Sequence, residues 1–226
     1  MRGMCLVKGT TSSIWVSAPM KCSRKAGNPG RKLPKKIPAA LVYEVLDGKP
    51  VYYKGYREVL EQKKTIEEIM GSSNLQATII EYILMVLYRN LDLATFRILT
   101  NEVGLHLEKK NNLSGDILLY EKSVLPVTSA DRRYIPIAPK IHIEVDIDAD
   151  TEDFVSGESY VYAKTQKLLD FGTEKVIWVL SETRKVLLAQ PDRDWQVIDW
   201  HKPVEVLEGT TIAVGAYLKE AGLEWA

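Results

Sequence analysis

Two strand patterns separated by one helix constrain this chain more than anything else in it. Residues Lys140–Asp148 alternate without a break, with Ile141, Ile143, Val145 and Ile147 set against Lys140, His142, Glu144, Asp146 and Asp148. That is the period of a strand whose two faces differ. Residues Lys175–Leu180 (KVIWVL) are a near-continuous apolar run, the mark of a strand covered on both faces. Between them Gly157–Phe171 reads as a helix, closed by Gly172 just past its last turn. A strand, a helix and a strand in that order make a crossover, so the two strands should run parallel with a right-handed connection. The expected class is therefore α/β or α+β, with a central mixed β-sheet flanked by helices.

The remaining elements fit around that unit. Residues 41–53 (LVYEVLDGKPVYY) predict a hairpin turning at Asp47-Gly48. Tyr56–Met70 reads as helix broken near Lys64, with Thr65 and Glu68 spaced as a capping box and Gly71 as its end. Ser72 or Ser73 caps a stronger helix reaching about Leu91, whose apolar residues recur at three and four. From Thr95 the period becomes that of strands, in TFRILTNEV, VGLHLE and, after Asn111-Asn112 and Ser114-Gly115, DILLYEK; together they predict a meander. Residues 123–139, with three prolines, read as a loop. Short strands at Lys185–Ala189 and Trp195–Asp199 and a last helical stretch at Val214–Glu220 complete the chain.

Charge is distributed unevenly along the 226 residues. Residues 1–43 hold nine Lys or Arg and no acid, whereas the rest hold 21 basic against 30 acidic residues. The reading is a basic, disordered arm over residues 1–38 and one folded domain over 39–226. Only the arm carries the sign that suits a nucleic acid or an anionic surface. Both cysteines, Cys5 and Cys22, fall in the arm, so the domain can have neither a disulfide framework nor a thiolate metal site. No apolar run approaches the roughly 20 residues of a membrane span, and the first residues lack the apolar core of a secretory signal. A cytoplasmic protein is expected.

Glu144, Asp146 and Asp148 stand at i, i+2 and i+4, which on a strand aims three carboxylates one way within roughly 14 Å. Such charges repel one another unless a cation lies among them. Asp116 opens the preceding strand; if the two strands are neighbours, Asp116 and Glu144 can share a divalent ion, and oxygen ligands suit Mg²⁺ or Mn²⁺ rather than Zn²⁺. The competing reading is an edge strand showing its polar face to water. His142 shares the acidic face, and Lys164 lies on the crossover helix with Lys167 one turn on as its natural control. Trp195 and Trp200 read as a packed pair rather than a base-stacking platform.

Four blocks carry a resemblance to a known family: YEVLDG (Tyr43–Gly48), SGDILLY (Ser114–Tyr120), IEVDI (Ile143–Ile147) and KTQKLLDFGTEKVIWVL (Lys164–Leu180). Over residues 41–218 the chain resembles the Uma-two family of restriction-endonuclease-like proteins, within the PD-(D/E)XK nuclease superfamily. The resemblance implies that Asp116 and Glu144 hold a divalent metal and that Lys164 stands where the superfamily's lysine acts, with Gly172 and Trp178 matching the family's glycine and tryptophan. The position two residues after Glu144 is Asp146, so either Lys164 substitutes for a strand lysine or Asp146 is a further metal ligand. Glu44 and Gln76 resemble polar family positions near the sheet's mouth. Gly115 departs from the usual proline, Asp146 from an apolar residue, and Ser159-Tyr160 from an acidic-basic segment. The implied activity is Mg²⁺- or Mn²⁺-dependent cleavage of DNA; cutting both strands generally takes two active sites, which a homodimer would provide. The alternative is a catalytically degenerate member of the fold, acting as a binding or regulatory module.

Overall fold

The hairpin forms where the sequence predicts it: β1 (Val42–Leu46) and β2 (Lys49–Tyr52) pair antiparallel. Asp47 and Gly48 take φ of 51° and 74°, the two left-handed residues that a tight hairpin turn demands. A register irregularity between Val42 and Glu44 bends β1 just ahead of Glu44, the kind of local kink that re-aims a side chain. This is a computed structural model, and it describes residues 37–223, which belong to one compact unit. The arm expected over residues 1–38, with Cys5 and Cys22, lies outside the described residues apart from Ile37 and Pro38.

Helix α1 (Tyr56–Leu60) is much shorter than expected. Glu68 Oε2 does accept from the Thr65 N–H, at 2.6 Å, so half of the capping box exists. No helix follows, because residues 61–65 are exposed and a short helix needs an apolar face packed on a core. Helix α2 (Asn74–Asn90) has that face: Ser73 Oγ caps it by accepting from the Gln76 N–H at 3.1 Å, and Ile79, Ile83 and Leu87 are fully buried.

The expected meander is replaced by an excursion. Strands β3 (Phe96–Thr100) and β6 (Ile117–Glu121) pair directly, while β4 (Leu105–Glu108) and β5 (Asn111–Leu113) leave to join the hairpin in a second sheet of order β2-β1-β5-β4. Asn111 explains the difference. It is buried, the turn lies instead at Lys110 with φ 75°, and the Asn111 amide bridges two turns by accepting from the Asp47 N–H at 2.6 Å and donating to Glu108 at 2.7 Å.

Strand β7 (Ile141–Val145), helix α3 (Gly157–Phe171) and strand β8 (Lys175–Leu180) make the crossover, and β7 and β8 are parallel. Ser156 caps α3 and Gly172, at φ 115°, ends it. With β9 (Lys185–Ala189) and β10 (Gln196–Asp199) the main sheet has the order β10-β9-β8-β7-β6-β3. A hairpin of β11 (Val204–Leu207) and β12 (Thr210–Ile212), not anticipated, precedes α4 (Val214–Glu220).

This mixed sheet separates two cores. On one side Ile117, Ile141, Ile143, Val145 and Ile177 pack with α2, α4 and the β11–β12 hairpin. On the other, Leu118, Val176 and Trp178 pack with α3 and the four-stranded sheet. His142 and Glu144 share the second side, since His142 is the partner of Leu118 and Val176, and Glu144 that of Trp178. Strand β7 is flanked on both edges and buried throughout, which removes the edge-strand reading. No helix among the described residues is long and apolar enough to cross a membrane.

Candidate metal and phosphate site

The candidate site is built from five elements that meet over the end of β7. Lys164 comes from the buried stripe of α3, which reads Tyr160, Val161, Lys164, Thr165 and Leu168 at helical spacing. A lysine thus occupies a core position, fully buried, with Nζ 3.0 Å from Glu44 Oε2 and 2.9 Å from Glu144 Oε1. The ammonium is thus a buried ion-pair partner shared between two carboxylates. The rings of Tyr43, Tyr160 and Trp178 surround the ammonium at 5.6, 5.9 and 5.6 Å, a cation–π enclosure. Burial works against that charge, but Glu144 and Glu44 together outweigh it and hold the Lys164 pKa well above its ordinary value. Lys167, the control, is a surface residue paired with Asp47 at 2.7 Å.

Glu44 is an ion-pair partner rather than a peripheral residue: its other oxygen accepts from the Tyr160 hydroxyl at 2.6 Å. Sequence reasoning gives Tyr160 no role in the site, although its place one turn before Lys164 on the buried stripe is a signal for one. Glu144 lies at the start of β6: Ile117 pairs with Ile143, Asp116 directly precedes Ile117, and Asp116 Oδ2 accepts from the N–H of Val145, the residue after Glu144, at 2.7 Å. The strand adjacency that a shared ion requires is therefore present. Burial raises the Glu144 carboxyl, yet Lys164 and His142 more than reverse it, and the net shift is downward. Asp116 goes the other way: burial first, and the Glu144 charge second, push its carboxyl up to about 8, against a bond from the Val145 N–H at 2.7 Å.

Asp146 is not brought to this cluster. The strand ends at Val145, and Asp146 turns out of it at φ 62°, where both its oxygens accept from Ser181, the N–H at 2.7 Å and the hydroxyl at 2.8 Å. The expectation of Glu144, Asp146 and Asp148 on one strand face is corrected by that left-handed residue, which breaks the alternation. Asp148 returns close by through Gln76, whose amide donates to Asp148 Oδ2 at 2.8 Å and to the Val145 carbonyl at 2.9 Å. Burial raises Asp148 as well, and Asp146 and Glu144 add to the effect. Glu102, unremarked in the sequence, is raised by burial and by Asp148 and Glu144.

Burial and mutual repulsion thus raise Asp116, Asp148 and Glu102 around Glu144, while Lys164 is already shared between two glutamates. Among the described residues no three His, Cys, Asp or Glu side chains gather as a metal-holding group. The donor set fits Mg²⁺ or Mn²⁺ nonetheless, because Mg²⁺ is commonly held by one or two carboxylates with water filling its octahedron.

The fold itself has a known counterpart. A crystal structure from Anabaena variabilis ATCC 29413, described as "a putative nuclease belonging to DUF820", superimposes with a TM-score of 0.58 at 15% sequence identity, covering 78% of this chain and 89% of that one. At that identity the likeness concerns the architecture, a mixed sheet flanked by helices. No protein-family model matches the chain, and no curated protein matches it in sequence.

His142 is set into the site by a missing side chain. Its Nε2 lies 2.5 Å from Glu144 Oε1, and its Cε1 is where a substituent on Gly115 would go, 2.5 Å from the Cβ that any other residue would carry there. Glycine at 115 is thus what lets the imidazole reach Glu144. Gly115→Ala is expected to lower the stability by about 1–3 kcal/mol through overpacking against His142 and against Leu118, whose Cδ2 would lie 2.7 Å from the new Cβ, and to cost clearly less in a His142→Ala background, where only the Leu118 contact remains. Thermal melts of the four proteins in that cycle check it. Trp200 is buried in the opposite core and Trp195 contacts Tyr162 at a ring distance of 5.8 Å, so the two do not form a pair with one another.

Proposed function

We propose that the chain is a metal-dependent endonuclease that hydrolyses phosphodiester bonds in DNA. The observation carrying this reading is the Asp116–Glu144 juxtaposition, two buried carboxylates where β6 begins and β7 ends, with a raised acid in one of them and a buried lysine beside the other. Asp116 and Glu144 would hold Mg²⁺ or Mn²⁺, which supplies Lewis-acid polarisation of the phosphate and a more acidic water. Lys164 stays protonated far above neutral pH, so it serves as fixed positive charge toward the phosphate oxygens and not as a base. Glu44 and Tyr160 fix Lys164, and Gln76 fixes the Val145 carbonyl and Asp148. Cleavage of both strands calls for two such sites, which a homodimer would supply.

A second reading, a catalytically degenerate fold that binds a partner, is favoured by one observation: Glu144 Oε1 is already engaged by both His142 and Lys164. The test is nicking of supercoiled plasmid with Mg²⁺ or Mn²⁺, beside Glu144→Gln and Asp116→Asn. Metal-dependent nicking that drops by about two to three orders of magnitude in both variants is the expected result. No cleavage by the native protein, with no Mn²⁺ binding in calorimetry, would leave the degenerate reading standing.

A further inference from the structure

The acidic balance of the domain leaves open how a polyanion could approach it at all. Outside the first 43 residues the chain has 21 basic and 30 acidic residues, and phosphate neutralisation by Lys and Arg supplies most non-specific nucleic-acid affinity. One surface reverses that sign. Residues 123–139, between β6 and β7, contain no regular element beyond one turn of 3-10 helix at Val127–Ser129, and connections that long in a compact fold are commonly binding loops. The loop folds back along β4, where the Ile135 N–H donates to the Gly104 carbonyl at 2.9 Å and the His106 N–H to the Ile135 carbonyl at 3.0 Å.

That anchoring opens a cleft of about 910 Å³ between the loop and β3–β5. Its charged walls are Arg97, Arg132 and Arg133 against a single acid, Asp131. Arg97 also steadies the loop's start, reaching the Leu125 and Pro126 carbonyls at 3.5 and 3.4 Å, while Arg133 pairs with Asp131 at the exposed rim. Tyr134 stands 56% exposed over Gly104, where a Cβ would come within 2.6 Å of its ring. Its wall is tied through the backbone to the candidate site: Val103, which lines the cleft, exchanges hydrogen bonds with Gly115 at 2.9 and 3.1 Å, and Gly115 directly precedes Asp116, which itself opens toward α2 beside Glu102.

We infer that this cleft receives the sugar–phosphate backbone of the nucleic-acid strand delivered to Asp116 and Glu144, an inference that rests on the nuclease reading. Arginine matches a phosphate with two parallel donors, Tyr134 offers a ring on which a base can stack, and the acidic surroundings repel the strand elsewhere, so the approach is steered to one side. The absence of a side chain at Gly104 is what allows the Tyr134 ring to come this close to the backbone just ahead of β4.

The test is fluorescence anisotropy of a labelled DNA duplex with the full chain in Ca²⁺, as a function of salt, for the native protein, Arg132→Glu/Arg133→Glu, and Arg89→Glu, an exposed residue at the end of α2. The double variant should bind at least tenfold more weakly, with a salt slope lower by about two, one for each phosphate that an arginine no longer neutralises, while Arg89→Glu stays within about twofold. Arg89→Glu changes the charge half as much as the double variant, so weakening by it of half the double variant's loss in binding free energy, about threefold or more, would reduce the effect to overall charge and overturn the cleft. So would polyglutamate binding as tightly as DNA with the same dependence on Arg132 and Arg133, which would make the cleft a site for an acidic protein. Plasmid nicking separates the two readings. Undiminished nicking by the double variant removes the cleft and leaves the nuclease; arginine-dependent binding without any nicking removes the nuclease and leaves the cleft.

Discussion

Lys164→Met should lower the free energy of unfolding by about 3–5 kcal/mol, the usual consequence of stripping one partner from a buried charge pair. The native ammonium touches Glu44 and Glu144 in a space closed by three aromatic rings, where neither carboxylate has exposed surface to speak of. Without Lys164 both carboxylates are left in a medium that solvates them poorly, and the Tyr160 hydroxyl cannot neutralise either. Adding Glu44→Gln and Glu144→Gln to the lysine variant should return most of the loss, since an amide costs far less to bury than an unpaired charge. Lys167→Met, at the exposed Asp47 pair, should cost about 0.5 kcal/mol or less. Urea denaturation of the four proteins decides the matter; equal effects at 164 and 167 would mean that the buried triad is not what holds α3 to β1 and β7.

The contrast between those two lysines also shows what could be read from the sequence. The crossover unit of β7, α3 and β8 is legible because periodicity and a terminal glycine suffice to define it, and its topology then fixes the sheet. Asp116, Glu144 and Lys164 are grouped in the sequence only by the resemblance, and what the structure adds is their proximity, with Lys164 Nζ 2.9 Å from Glu144 Oε1. That Lys164 is buried could have been read from its own helix, since it falls in step with Tyr160, Val161 and Leu168, whereas Lys167 does not. Asp146 illustrates the opposite case. Alternation alone carries no information about where a strand stops, and the left-handed turn at 146 is set by Ser181, thirty-five residues away in sequence. The excursion of β4 and β5 is hidden for a related reason: Asn111 has the composition of a turn residue but uses its amide to join two turns from inside the sheet. Long-range partners decide each of these positions.

The protein without divalent cations should become less stable as pH rises from about 4 to about 8, and Asp116 should account for the largest share. Its carboxyl is raised to about 8 in the folded state, while in the unfolded chain it ionises near 4. Between those values the folded state holds a proton that the unfolded state has released. Stability therefore falls with rising pH, by an amount on the order of 5 kcal/mol if the full shift is expressed. Asp148 and Glu102 are shifted in the same direction and add to the slope. Glu144, shifted downward, contributes stability that is lost only as pH falls below the ordinary carboxylate range. Asp116→Asn keeps an oxygen able to accept from the Val145 N–H but cannot ionise, so it should flatten most of the decline and be more stable than the native protein at pH 8. An unchanged slope in that variant would place the titration elsewhere. A cation held by Asp116 and Glu144 acts on the same equilibrium from the other side, because it binds the ionised form and stabilises the folded state by mass action. Millimolar Mn²⁺ at pH 8 should therefore restore stability to the native protein and do nothing for Asp116→Asn, a readout of metal binding that needs no substrate and no cleavage.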